Sequence, residues 1–72
     1  MNFTVKRIPI AEGNIWDVTC DHPFSLTFEH ETWESHPSGI LDHIQFRAHD
    51  DISPFVVHIE GWAIEVRREV GR

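Results

Sequence analysis

The chain has 72 residues and a mass of 8.4 kDa, which is enough for a single domain, and we place that domain at residues 1–72. Six basic and twelve acidic side chains give a formal charge of −6 with histidine neutral. This balance argues against nucleic acid or an anionic membrane as a direct partner, because both are bound by clustered Lys and Arg. Hydrophobic residues make up 40% of the chain, an ordinary share for a globular protein, so we expect it to fold.

The small size of the chain limits how it can be stabilised. Below about 70–80 residues one core rarely supplies more than a few kcal/mol, and proteins of this size usually add disulfides, a metal or a partner subunit. Cys20 is the only cysteine, so an internal disulfide is excluded. The N-terminal residues lack a secretory signal pattern, and no apolar run reaches the roughly 18 residues of a membrane span. Together with the free thiol, these features predict a cytoplasmic protein.

The first half of the chain has the composition and the alternation of β-strands. Across the chain, eight Ile and six Val stand against two Leu and three Ala, and branched side chains favour strands. Pro9 indicates that the first strand lies at an edge, because proline cannot donate to a ladder. Turn residues at Gly13 and Pro23 separate the next two predicted strands. Their inward positions are Trp16, Val18 and Cys20, then Phe24, Leu26 and Phe28.

The second half continues the pattern between two turn-rich segments, residues 34–39 and 49–54. The inward positions are Ile44, Phe46 and Ala48, then Phe55, Val57 and Ile59. After Gly61, the apolar residues Trp62, Ile64 and Val66 take the opposite parity. A one-residue phase shift at a glycine predicts a β-bulge or a sharp bend.

These elements predict an all-β fold, a small antiparallel sandwich or barrel of five to six short strands. Unless its sheet closes, such a fold leaves at least two edge strands exposed. A second copy of the chain is the simplest cover for an open edge in a small protein without disulfides. We therefore expect a homo-oligomer.

Metal binding and catalysis have weak support in the sequence. On a strand, His30 points away from Glu29 and Glu31, and no zinc-type spacing of Cys or paired His is present. We therefore assign no metal ligand and no cofactor. The chain also lacks a phosphate-binding glycine loop and a nucleophile elbow, and Cys20 falls on an inward face, so we expect a protein that is not an enzyme.

Two tryptophans are candidates for recognition. Trp33 shares its parity with Glu29 and Glu31, opposite Phe28, which would expose it as an anchor for a protein partner. The alternative, that Trp33 folds over a sheet edge, stays open. For Trp62 we favour a position in the core.

Residues 28–63 resemble the tryptophan RNA-binding attenuation protein family. The resemblance is carried by Phe28-Glu29-His30, Gly39, Gln45-Phe46-Arg47-Ala48-His49 and Val57-His58-Ile59-Glu60-Gly61-Trp62-Ala63. It implies an all-β subunit whose sheets continue into its neighbours to form a closed ring, with a small ligand between adjacent subunits.

The resemblance also implies site residues. Gln45 and His49 match polar residues of the family's ligand loop, and Arg47 between them stands where the family has threonine. Asp50-Asp51 replace Thr-Ser, which argues against tryptophan as the ligand. His58 and Glu60 replace outward basic residues, which argues against RNA binding. We therefore take Gln45, Arg47 and His49 as the ligand-binding set. The partner-binding set is Trp33, Glu29, Glu31, His58 and Glu60.

The sequence thus predicts a small acidic binding or regulatory protein that self-associates and binds a small ligand or a protein partner. An alternative is an acidic inhibitor, of phage or bacterial type, that blocks the basic nucleic-acid-binding surface of an enzyme; its association should weaken steeply with salt. A histidine-rich metal-binding protein is the third hypothesis.

Overall fold

The computed structural model describes residues 2–49 and 54–67. Its eight strands are β1 (Phe3–Ile10), β2 (Gly13–Cys20), β3 (Ser25–Phe28), β4 (Glu31–Glu34), β5 (His36–Ser38), β6 (Leu41–Ala48), β7 (Phe55–Ile59) and β8 (Trp62–Val66). The all-β class predicted from composition is confirmed. The described residues contain no helix that is long and apolar enough to cross a membrane.

The strands form two four-stranded antiparallel sheets, with the orders β1-β2-β6-β5 and β4-β3-β7-β8. Ser35 alone separates β4 from β5, so the chain passes from the edge of one sheet to the edge of the other in one step. On this side the backbone N–H of Ser35 donates to the carbonyl of Phe24, 2.8 Å away. The sheets are therefore linked by continuous chain at the β4 and β5 edges.

The expected number of five to six strands was wrong, because tight turns divide segments that the alternation treated as continuous. Glu29 and His30 form a two-residue turn between β3 and β4, and the segment predicted as a loop at 34–39 contains β5. Glu60 (φ 48°) and Gly61 (φ 87°) join β7 to β8 with the positive φ values of a type I′ hairpin turn. The phase shift at Gly61 thus comes from a sharp bend and not from a bulge. The predicted turn at 49–54 lies largely outside the described residues.

The core lies between the two sheets and is the one that alternation predicted. All twelve of the inward positions predicted between residues 16 and 59 are buried: Trp16, Val18, Cys20, Phe24, Leu26, Phe28, Ile44, Phe46, Ala48, Phe55, Val57 and Ile59. Aromatic rings join the layers, since Phe55 of β7 lies edge-on to Trp16 of β2 (5.2 Å between centroids) and to Phe46 of β6 (5.1 Å). Such pairs add about 0.5–1.5 kcal/mol each beyond the area that they bury.

The two remaining edges, β1 and β8, lie on the opposite side from the β4–β5 link. In the described chain, no strand pairs with the outer edge of either one. Pro9 lies in β1, as its edge prediction required. The core position favoured for Trp62 was wrong: its ring is on the same side of the sheet as buried Ile59, but β8 is an edge strand and the residue stays 69% exposed.

Candidate functional site

A groove of about 390 Å³ opens where the β3–β4 hairpin meets the end of β6. We call it the aromatic groove. The residues that line it are Phe28, Glu29, His30, Glu31, Trp33, Phe46, Arg47 and His49. Its volume falls in the range of about 300–1,000 Å³ that is usual for small-molecule sites.

The floor of the aromatic groove is a stack of rings. Trp33 lies nearly parallel to Phe46, with 5.6 Å between centroids and 24° between planes, and Phe28 contacts the same ring at 5.0 Å. Trp33 pairs in register with Leu26, which is fully buried, so both side chains belong to the core-facing side of the sheet. The prediction that Trp33 is exposed was wrong because it continued the alternation of β3 through the turn at Glu29 and His30, where the chain reverses. Trp33 lies on the core-facing side of the edge strand β4 and is half-buried.

The rim of the aromatic groove carries charges of both signs. Glu29 and Glu31 stand on one wall, and Arg47 and His49 on the other, all of them exposed. Glu29 has a φ of 57°, a left-handed conformation that costs a non-glycine residue about 1–3 kcal/mol and is held here by the turn. An aromatic floor beside a guanidinium and carboxylates suits a molecule with a planar ring and a charged group.

Five of the eight predicted site residues line this groove, and three do not. Gln45 lies on the outer face of its sheet opposite Asp17. His58 lines a second groove of about 280 Å³ with Glu34, and its Nε2 lies 3.4 Å from Thr27 Oγ1. Glu60 occupies the β7–β8 turn. The predicted ligand and partner sets are therefore mixed: Arg47 and His49 join Trp33 and the two glutamates.

A second group of side chains, Cys20, Asp21 and His22, was missed by sequence reasoning. Their ligand atoms all lie within 4.8 Å of one another. The His22 ring donates from Nδ1 to Asp21 Oδ1 at 2.6 Å, and the buried Cys20 thiol points at the same oxygen from 3.8 Å. The hydrogen bond from His22 holds the pKa of the Asp21 carboxyl below its ordinary value. We call this group the Cys20–His22 cluster.

The signal for this cluster was present in the predicted turn. Along a strand, neighbouring side chains point to opposite faces, so three consecutive residues cannot converge. Strand β2 ends at Cys20, and Asp21 and His22 lie in a bend beyond it. The turn residues Asp21-His22-Pro23 therefore marked a place where the alternation of side chains along a strand does not apply.

No family model, curated protein or solved structure matches this chain. The ring and ligand loop implied by the resemblance stay predictions, and the functional argument stands on the geometry above.

Proposed function

We propose that this protein is a non-enzymatic binding module that assembles with copies of itself through β1 and β8 and holds a small planar ligand in the aromatic groove. The observation that carries the proposal is the open side of the sandwich, where two unpaired edge strands flank an incompletely covered core. The aromatic groove supplies the binding site for the ligand in each subunit of the assembly.

The open side has the composition of an interface. On β1, Phe3 and Val5 pack on the core but stay only partly buried, and Ile64 and Val66 do the same on β8. Trp62 projects beside them. Covering its exposed part at about 25 cal/mol per Å² contributes roughly 2–4 kcal/mol, and tryptophan is a frequent anchor of interfaces.

A second copy is the occupant that fits this side. Backbone groups on a free strand edge are a template for another strand, and β1 of one copy beside β8 of the next extends both sheets across the junction. The apolar residues then meet on the inner side. On the outer side, exposed Lys6 of β1 and exposed Glu65 of β8 carry opposite charges, and Glu65 also pairs with Arg67 at 2.6 Å. Repetition of this head-to-tail contact closes a ring if the rotation per subunit allows it.

Sedimentation velocity tests the assembly. At micromolar concentration we expect wild type to sediment as an oligomer and Trp62→Glu as a folded monomer. The matched control is Ile40→Glu, which places the same charge on a 96% exposed residue at the β5–β6 turn, away from the open side. A well-ordered wild-type monomer of 8.4 kDa would contradict the proposal.

The ligand test uses 1-anilinonaphthalene-8-sulfonate, an aromatic anion, as its probe. We expect saturable binding that weakens in Arg47→Gln and survives in Arg67→Gln, which removes the same charge outside the groove. Binding of the probe should change little with salt, because its aromatic rings are held by apolar contact in the groove. If the protein were instead an acidic inhibitor of a basic surface, its affinity for that partner would fall steeply with salt. Equal binding by both variants would refute the groove as the site.

A further inference from the structure

We propose that the Cys20–His22 cluster is a Zn²⁺ site in which Cys20 Sγ, Asp21 Oδ1 and His22 Nδ1 bind the ion and Glu60 orients the histidine. This site is separate from the aromatic groove. It lies beside the start of β1, since Cys20 pairs in register with Phe3 and the Asp21 N–H donates to the carbonyl of Asn2 at 3.1 Å. The sequence alone did not assign these metal ligands.

The donor set is the one that zinc prefers. Thiolate sulfur, imidazole nitrogen and carboxylate oxygen are its common protein ligands, and a soft thiolate selects zinc over magnesium or calcium. Cys20 is fully buried, and its thiol is aimed at the Asp21 carboxylate. The ion replaces the thiol proton, which leaves to water, and the Nδ1 proton of His22, which passes through water to Nε2 and there faces Glu60.

The distances between the three ligand atoms are close to those expected around a tetrahedral zinc ion. With a Zn–S distance of about 2.3 Å and Zn–O and Zn–N distances of about 2.0–2.1 Å, sulfur and oxygen stand about 3.5 Å apart, and nitrogen and oxygen about 3.3 Å. The observed Sγ to Oδ1 distance is 3.8 Å. The Nδ1 to Oδ1 distance is 2.6 Å, because a proton now joins these atoms. Side-chain rotations of exposed Asp21 and half-buried His22 that lengthen the Nδ1 to Oδ1 distance by about 0.7 Å and shorten the Sγ to Oδ1 distance by about 0.3 Å make room for the ion.

Glu60 supplies what a metal-bound histidine usually has on its other nitrogen. Its Oε1 lies 3.6 Å from His22 Nε2, and it reaches this position from the β7–β8 turn of the other sheet. A carboxylate behind a ligating imidazole fixes the ring and raises its basicity. The Glu60 side chain is 63% exposed, so it approaches the histidine from the solvent side of the turn.

Titration with Zn²⁺ and with Co²⁺ tests the site on the purified full chain. We expect one Zn²⁺ per chain by calorimetry, and a Co²⁺ spectrum with the near-ultraviolet charge-transfer band of a cobalt–thiolate bond. Affinity should fall more than about 100-fold in His22→Ala and about 10–100-fold in Glu60→Gln. The control His36→Ala removes an exposed histidine of β5 and should bind as wild type does.

Each alternative result decides against the site. A Co²⁺ spectrum without the sulfur band, or equal loss in His22→Ala and His36→Ala, would show general histidine binding and overturn the proposal. Cys20→Ala tests the thiolate ligand directly. If this variant unfolds, the cobalt–thiolate band in wild type and its loss in His22→Ala still decide whether the site exists. Trp62→Glu should keep its Zn²⁺ as a monomer, so failure of the assembly and failure of the metal site are distinguishable.

Discussion

Gly13→Ala should be the most damaging of the small substitutions in this chain. Gly13 begins β2 with a φ of +121°, a region that is almost restricted to glycine. A Cβ placed there meets the carbonyl oxygen of Ala48 at 2.0 Å and the backbone of His49 at 2.7 Å, where ordinary contacts begin at 3.4 Å. The obstruction is backbone and not a movable side chain, so β2 and β6 must separate locally.

The loss of unfolding free energy in Gly13→Ala has two contributions, the strained backbone conformation and the broken hydrogen bonds between β2 and β6. The backbone conformation costs about 1–3 kcal/mol, and the loss of one or two ladder hydrogen bonds near the Asn14–Ala48 pair adds about 1 kcal/mol each. The sum is about 2–5 kcal/mol, against a total of roughly 4–11 kcal/mol for a chain of this length. With a urea m-value near 1 kcal/mol/M, the unfolding midpoint falls by about 2–5 M or the chain fails to fold.

Urea unfolding followed by tryptophan fluorescence measures this cost at one fixed protein concentration, because assembly adds to apparent stability. The control is Gly61→Ala, where φ is also positive (+87°) but nothing lies within 4 Å of the added Cβ. Gly61→Ala should lower the free energy of unfolding by only about 1 kcal/mol, the cost of placing alanine at a positive φ. Equal losses in the two variants would refute the argument that close approach of β6 sets the requirement at Gly13.

Three further predictions concern the turns, the β4–β5 link and the charge. Gly61→Val should destabilise by about 1–3 kcal/mol and Gly61→Asn by less, since asparagine tolerates the left-handed region; equal melting temperatures would contradict this. Ser35→Ala should cost about 1–3 kcal/mol in urea unfolding, because Ser35 Oγ accepts from the Phe24 N–H (2.9 Å) and donates to Asp42 (2.7 Å), whereas exposed Ser38→Ala should cost under about 0.5 kcal/mol. The formal charge of −6 at pH 7 falls to zero near the sequence pI of about 5.3, so light scattering should show association of the protein near pH 5.5; a sample that stays monodisperse down to pH 5 would oppose this.

The sequence was most informative where strands are long and one face is buried. Alternation identified the inward residues of β2 and β6 because a strand has a fixed period of two, and burial of one face makes the register strict. It also placed Pro9 on an edge. These predictions need no knowledge of which strands are neighbours, and for that reason they could be made from single segments.

Tertiary position was not accessible in the same way. Trp62 has the parity of a core residue, yet it is exposed because β8 has no neighbour on one side. Trp33 was assigned to the wrong face because the turn at Glu29 and His30 reverses the chain while the count of two continues through it. Parity along one strand fixes the face of a residue, but sheet order decides whether that face is covered.

Both sites proposed here form where alternation ends, and this has a physical reason. A strand separates consecutive side chains onto opposite faces, so a group of neighbouring polar residues can share one ligand only beyond the last ladder pair. The Cys20–His22 cluster begins at the final residue of β2, and the aromatic groove gathers around the β3–β4 turn and the end of β6. In a chain of short strands, turns are frequent, and each supplies a point of convergence. Binding chemistry in such a fold is therefore expected at the ends of the sandwich, while its long edges are left for assembly.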